Sequence, residues 1–190
     1  MRRFIFNLVS VLFSAVKFGV MKLFHFHHFF YSGVQRFSPN TEVVIAEGGT
    51  IRLGRHVRAH RRSKLLAMDG GTLEIGSNTA LGNGVSVNCM ESIVIGEGVQ
   101  IGPDTKIYDH DHDYRVPGGI GAGKFVTAPV TIGDNSWIGC NVVILRGTSI
   151  GKNCIVGAGS VLKGTYPDNS VIVQKRQTTA TVYPLERTEK

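Results

Sequence analysis

Two histidines and three aspartates alternate in the stretch Tyr108-Asp109-His110-Asp111-His112-Asp113. An ordinary imidazole, with a pKa of about 6.5, can accept a proton at neutral pH, so His110 and His112 are candidates for general-base chemistry. Asp109, Asp111 and Asp113 could fix the tautomer of such a ring, as carboxylates do for catalytic histidines, or they could do no more than solvate the segment. Spacing does not rank them. Two nearby histidines also suit a metal, but a three-imidazole zinc set needs a third ring and no histidine follows His112. Sulfur chemistry is weaker still, because none of Cys89, Cys140 and Cys154 lies in a motif that would activate a thiol.

The elements that must hold these residues show in a six-residue beat. An aliphatic residue precedes glycine at Ile75-Gly76, Leu81-Gly82, Ile95-Gly96, Ile101-Gly102, Ile132-Gly133, Ile138-Gly139, Ile150-Gly151 and Val156-Gly157. Val87, Ile107, Ile144 and Leu162 keep the beat without glycine. A fixed short period of this kind predicts a β-solenoid, each repeat burying one side chain and stacking on the turn below. Small or β-branched residues such as Thr79, Thr105, Ser136, Thr148 and Cys154 follow four positions on, which suits the corners of a narrow prism, and puts Cys154 inside it. Asn83-Gly84, Asp134-Asn135 and Lys152-Asn153 supply residues that tolerate left-handed backbone.

The beat breaks once, between Ile107 and Ile132, and the histidines open the break. Long loops in compact domains are characteristically functional. This one continues through Gly118-Gly119-Ile120-Gly121-Ala122-Gly123-Lys124, a glycine-rich arm suited to reaching a neighbouring molecule. The expected organisation is a helical, basic N-terminal segment (1–32), a solenoid (40–173) with an inserted loop (108–129), and a tail (174–190). The 24 glycines and 8% aromatic content suit an all-β solenoid better than a layered α/β fold. Three cysteines within the repeats imply no disulfide framework and fit a reducing compartment.

Residues 75–165 resemble the hexapeptide-repeat acyltransferases. The pairing of Ile107 to His112 with Asp134-Asn135-Ser136-Trp137-Ile138-Gly139 is similar to the sugar O-acetyltransferases of galactoside, maltose and capsule or lipopolysaccharide type. The resemblance implies a left-handed parallel β-helix, although parallel crossovers are otherwise right-handed in about 98% of cases. It further implies a homotrimer with acetyl-CoA in clefts between prisms. His110 is then the general base, and the backbone amide of Cys140 the oxyanion donor. Trp137 walls the site, and Gly157-Ala158-Gly159 follows the pantetheine. Lys175 and Arg176 meet the CoA phosphates, in a stretch lacking the Gly-x-Pro turn of the galactoside and maltose type. The implied reaction is direct transfer of acetyl from acetyl-CoA to a sugar hydroxyl of a cell-surface polysaccharide or its precursor, in the bacterial cytoplasm and without a metal. The alternatives are an amino-sugar-nucleotide N-acetyltransferase, a γ-type zinc carbonic anhydrase or a non-catalytic solenoid.

Charge adds a second theme. Residues 1–64 hold eleven Lys and Arg against Glu42 and Glu47, a net +9 within a chain of net +7. Such a basic third points to an anionic partner, and no nucleic-acid motif accompanies it. Phe4, Ile5, Leu8, Val9, Leu12, Phe13, Val16, Val20 and Leu23 recur at helical spacing, with Asn7, Ser10, Ser14 and Lys17 towards the other side. Between Arg3 and Lys17 the apolar run covers about 20 Å of helix, short of the ~30 Å hydrocarbon core. The expected arrangement is a helix lying in an anionic membrane surface, or else a cap on the solenoid's end, a cleaved signal, or a longer span with Lys17 and Lys22 snorkelling.

Overall fold

The computed structural model describes residues 2–175, 177 and 179–181. Strands of two to four residues stack in parallel into three sheets of seven, seven and six strands, visited in rotation. In one coil Ser92–Ile95 lies on the first face, Gln100–Ile101 on the second and Lys106–Tyr108 on the third. The stacked coils form a left-handed parallel β-helix of about six turns.

The hexapeptide beat explains this geometry. Ile75, Leu81, Val87, Ile95, Ile101 and Ile107 all point inward and are buried. The residues at the corners are buried too, and the polar ones among them are satisfied: Thr79 Oγ1 donates to Gly96 O at 2.8 Å and Ser136 Oγ to Gly151 O at 3.0 Å. Cys154 is buried at its corner, as its place in the repeat implies. Glycine follows the inward aliphatic because coils touch there backbone to backbone: a Cβ on Gly102 would lie 2.6 Å from Cys140 N. Gly84, Asn135 and Asn153 adopt the left-handed backbone expected of them.

The first coil begins at Phe29–Tyr31, not at residue 40. Phe29 and Phe37 fill its interior in place of Ile or Leu, so the aliphatic–glycine signature stops before the fold does.

One helix, α1 (Arg2–Phe24), closes this end. Its inward face is the reverse of what apolar periodicity alone suggests. Ser10, Ser14 and Phe18 are buried against the first coil, while Ile5, Leu8, Val9, Leu12, Val16, Val20 and Leu23 face outward. The reason is the edge. The first coil has no predecessor, so its outer backbone groups lack ladder partners, and burying them unpaired is unfavourable. The polar side of α1 supplies those partners. Ser14 Oγ accepts from Phe37 N at 2.7 Å, Lys17 Nζ donates to Thr41 O at 2.7 Å, and Lys22 Nζ donates to Phe29 O at 2.8 Å. Phe18 plugs the open core, edge-on to Phe29 and Phe37 at 5.0 and 4.9 Å. The two lysines therefore reach into the protein. Ile5–Phe24 is long and apolar enough to cross a membrane by length and composition, a test the shorter run from Phe4 to Val16 does not meet.

Candidate active site

The single break in the beat is a structured excursion. Beyond Lys106–Tyr108 the chain leaves the prism at the corner between the third and first faces. It forms an antiparallel hairpin of His110–His112 with Phe125–Thr127, closed through a short 3-10 turn at Gly119–Ala122. The chain rejoins the first face at Val130–Ile132, in register with Ile93–Ile95.

Asp109 turns inward at that corner and is fully buried. Its carboxylate accepts from the backbone N–H groups of Met90, Glu91 and Ser92 at 2.8–3.1 Å, and its Oδ1 lies 3.0 Å from His110 Nδ1. Burial alone would raise the Asp109 carboxyl. The hydrogen bonds from His110, from the Glu91 and Met90 amides and from the Cys89 thiol outweigh it and hold the group below the usual carboxylate value. The same neighbourhood pushes the Cys89 thiol far up, by burial first and then by the Asp109 charge, so Cys89 is no nucleophile. A charged Asp109 makes His110 Nδ1 a donor and leaves Nε2 to accept a proton. Tyr108 and Phe125 flank the imidazole edge-on, at 6.0 and 5.6 Å.

The other members of the motif separate from this pair. Asp111 does not orient the imidazole, because its Oδ2 is held by Arg146 Nε at 2.6 Å. Asp113 Oδ1 accepts from Arg115 N at 3.0 Å. His112 is exposed and lies on the Phe125 ring at 4.6 Å. Among the described residues no three of His, Cys, Asp and Glu converge as a metal would require.

A second constellation lies at the corner between the second and third faces. Trp137, Cys140, Gly157 and Ala158, with Gly102, Pro103, Gly139, Ile155 and Val156, line a largely apolar cleft of about 430 Å³. Trp137 is 58% exposed, an outward residue of the second face free to contact a ligand. Gly159 N donates to Cys140 O at 2.8 Å, which ties the three-residue stretch Gly157-Ala158-Gly159 to the coil above. Lys175 is exposed just beyond Gln174, whose side chain clamps Val161 N and O at 3.0 and 2.7 Å. Arg176 lies outside the described residues.

One chain does not bring the two constellations together. Cys140 and His110 occupy opposite edges of the third face, and Thr105 to Asp109 across that face is about 13 Å at ~3.3 Å per residue. Sequence reasoning missed three contributors: the Met90–Ser92 amides, Phe125 and Arg146. The amides carry no side-chain signal, Phe125 meets the histidines only when the hairpin forms, and Arg146 meets Asp111 only when the next coil is in place.

Residues 129–164 match the family model for the bacterial transferase hexapeptide (six repeats). The chain is 34% identical over 126 residues to "Probable acetyltransferase Rv3034c" of Mycobacterium tuberculosis, covering 65% of this chain and 41% of that protein. It is 30% identical over 138 residues to "Putative lipopolysaccharide biosynthesis O-acetyl transferase WbbJ" of Escherichia coli K12, covering 67% and 69%. Among solved structures it resembles a point mutant of AntD, an N-acyltransferase from Bacillus cereus, in complex with dTDP-4-amino-4,6-dideoxyglucose and coenzyme A. That likeness has a TM-score of 0.64 at 20% identity, over 83% of this chain and 84% of that one, and concerns the fold. The chain thus belongs to the hexapeptide-repeat acyltransferases.

Proposed function

We propose that this protein transfers an acetyl group from acetyl-CoA to a sugar hydroxyl of a cell-surface polysaccharide or its precursor. The observation that carries this reading is the Asp109–His110 pair, a buried charged carboxylate 3.0 Å from an imidazole at the one place where the solenoid opens. The acceptor class follows from the sequence relationship to WbbJ, whose name refers to lipopolysaccharide O-acetylation.

In the proposed step His110 Nε2 takes the hydroxyl proton as the sugar oxygen attacks the thioester carbon. The tetrahedral oxyanion then collapses, the C–S bond breaks, and the proton returns from His110 to the CoA sulfur. Asp109 holds the ring and stabilises the imidazolium that forms in between. The Cys140 N–H is the proposed oxyanion donor. Among the described residues the coil ladder gives Cys140 O a partner in Gly159 and draws no acceptor onto Cys140 N. Trp137 and the small residues Gly157 and Ala158 suit a narrow pantetheine arm, and Lys175 is a proposed partner of the CoA phosphates, as is Arg176 by the resemblance alone.

Because His110 and the Cys140 cleft lie on opposite edges of one face, the reading includes a homotrimer in which one protomer's hairpin closes the neighbour's cleft. It also includes peripheral attachment to the inner face of the cytoplasmic membrane through α1, whose outward face is apolar along its length. Incubating the protein with labelled acetyl-CoA and a panel of glycans, lipid-linked glycans and amino-sugar nucleotides tests the assignment. Label on a hydroxyl, lost in His110→Ala, is the expected result. Transfer to an amino group alone would overturn O-acetylation.

A further inference from the structure

His110 has a clamped residue on either side of it. On its N-terminal side Asp109 is held by the amides of Met90, Glu91 and Ser92, which stand at the corresponding corner of the coil before. On its C-terminal side Asp111 is held by Arg146, at the same corner of the coil after: Arg146 Nε donates to Asp111 Oδ2 at 2.6 Å. Backbone reinforces the second clamp. Gly147 N donates to Ala128 O at 3.1 Å, and Ala128 N donates to Asp109 O at 2.8 Å, so residues 146 and 147 tie both strands of the hairpin to the prism.

Alternation along the strand turns this grip into an orientation of the ring. Successive side chains of a strand point to opposite faces, so Asp111 and its register partner Val126 share one side of the hairpin, and His110, His112, Phe125 and Thr127 share the other. Pinning Asp111 to the next coil commits the imidazoles to the far side. There His110 meets Phe125 edge-on at 5.6 Å while its Nδ1 stays 3.0 Å from Asp109. Without the Arg146 bond the hairpin is tied only at its root, through Ala128, and the strand that carries the ring can twist. The exposure of the pair separates this role from a structural one. The Arg146 side chain is 21% exposed and that of Asp111 51%, and ion pairs so placed add little to stability. A shift of about 1 Å at a catalytic group, by contrast, can cost roughly a hundredfold in rate.

We infer that Arg146 is a positioning residue for His110: through Asp111 it fixes the side of the hairpin on which the base is presented, and it acts on the strand and not on the ring. The inference rests on the reading of His110 as general base, and adds to it a second carboxylate with a separate duty. Asp109 orients the imidazole, and Asp111 orients the strand that bears it.

The test compares Arg146→Gln, Asp111→Asn, the double variant and Arg146→Lys in the full-length protein. Turnover is read as transfer from labelled acetyl-CoA to the glycan that the wild type labels, and hairpin order as backbone hydrogen exchange, which needs no acceptor. Each single variant should lower kcat about 10- to 100-fold, at the plateau above the imidazole titration, with KM for acetyl-CoA and glycan changed by less than about twofold. The double variant should be no slower than either single, because all three break one contact. Arg146→Lys should restore most of the rate, since its Nζ reaches as far along the side chain as Nε. The amides of Asp113 and Ala128, bonded within the hairpin and at its root, should exchange about tenfold faster in Arg146→Gln, while the thermal midpoint moves by less than about 3 °C. Lys152→Gln, which breaks a comparable ion pair to Asp134 at 2.9 Å on another corner, should change none of these. An unchanged kcat in Arg146→Gln, additive losses in the double variant, or an equal loss in Lys152→Gln would overturn the inference. A raised KM for the glycan at unchanged kcat would overturn it too, by making Arg146 an acceptor contact. If His110→Ala keeps its turnover, the general-base reading falls and this inference with it; if His110→Ala is inactive while Arg146→Gln runs at full rate, only the inference falls.

Discussion

Asp109 and His110 are adjacent in sequence, yet they divide the work by burial. The carboxylate is fully enclosed and bonded to three amides, whereas the imidazole reaches the hairpin's edge. His110→Ala should lower turnover by roughly 10² to 10⁴, the range for a positioned acid–base group, with acetyl-CoA affinity nearly unchanged. Steady-state kinetics beside calorimetric binding would check this, and near-normal turnover would remove His110 from the mechanism. Cys140→Ala should retain activity because only its backbone is called upon, and its loss would implicate the thiol. Asp109→Asn should destabilise the fold by about 2 kcal/mol at neutral pH, through its weakened bonds to the amides of residues 90–92. The sign with pH follows from the lowered carboxyl. The stabilisation is fully present above the ordinary Asp value of about 3.9 and is lost as pH falls through the lower folded value. Urea midpoints of wild type and variant should therefore differ at pH 7 and converge below about pH 4; a constant gap would mean that charge is not the cause.

At the scale of elements, the coils from residue 75 onward were legible in the sequence because each repeat satisfies the same constraint, one buried aliphatic and one backbone contact with no room for a side chain. The first coil was not, since aromatic residues fill it and its edge is closed by a helix instead of another coil. The excursion was legible as a break but not as a hairpin, and three aspartates in alternation gave no sign that one alone would be buried. In α1 the periodicity was visible, with a membrane surface as the expected place of its apolar side, whereas the work of its polar side was not: the unpaired edge of the first coil recruits Ser14, Lys17 and Lys22. Ser14→Ala should therefore cost about 1–3 kcal/mol by stranding Phe37 N–H, despite lying on the polar side of the helix. Leu12→Asn, on the apolar side, should change stability by about 0.5 kcal/mol or less. Thermal denaturation of the two variants would separate the arrangements, since a helix with its apolar face buried gives the opposite ranking.

At the scale of the whole molecule, the proposed base on one edge of the third face and the proposed acyl-CoA cleft on the other lead the functional reading to an active site shared between chains. Three copies arranged around an axis would place each His110 hairpin against the next copy's Trp137–Cys140 cleft, and all three α1 helices at one end, facing one surface. This arrangement makes a prediction that a self-contained site does not. His110→Ala should be inactive for want of a base, and Ala158→Trp should be inactive because the exposed corner residue then fills the cleft. On this reading each variant should still form trimers, since neither position belongs to the solenoid core. When the two variants are unfolded, mixed in equal amounts and refolded together, a functional site arises wherever a chain with intact His110 faces a chain with an intact cleft. Random assembly gives that pairing at about one quarter of the interfaces, so about a quarter of wild-type activity should return. The same proteins refolded apart and then mixed should regain nothing until subunits exchange. Light scattering should report trimers throughout. A fully active monomer, or a refolded mixture as inactive as its parents, would place the whole reaction within one chain and require His110 and the Cys140 cleft to meet by a movement of the hairpin.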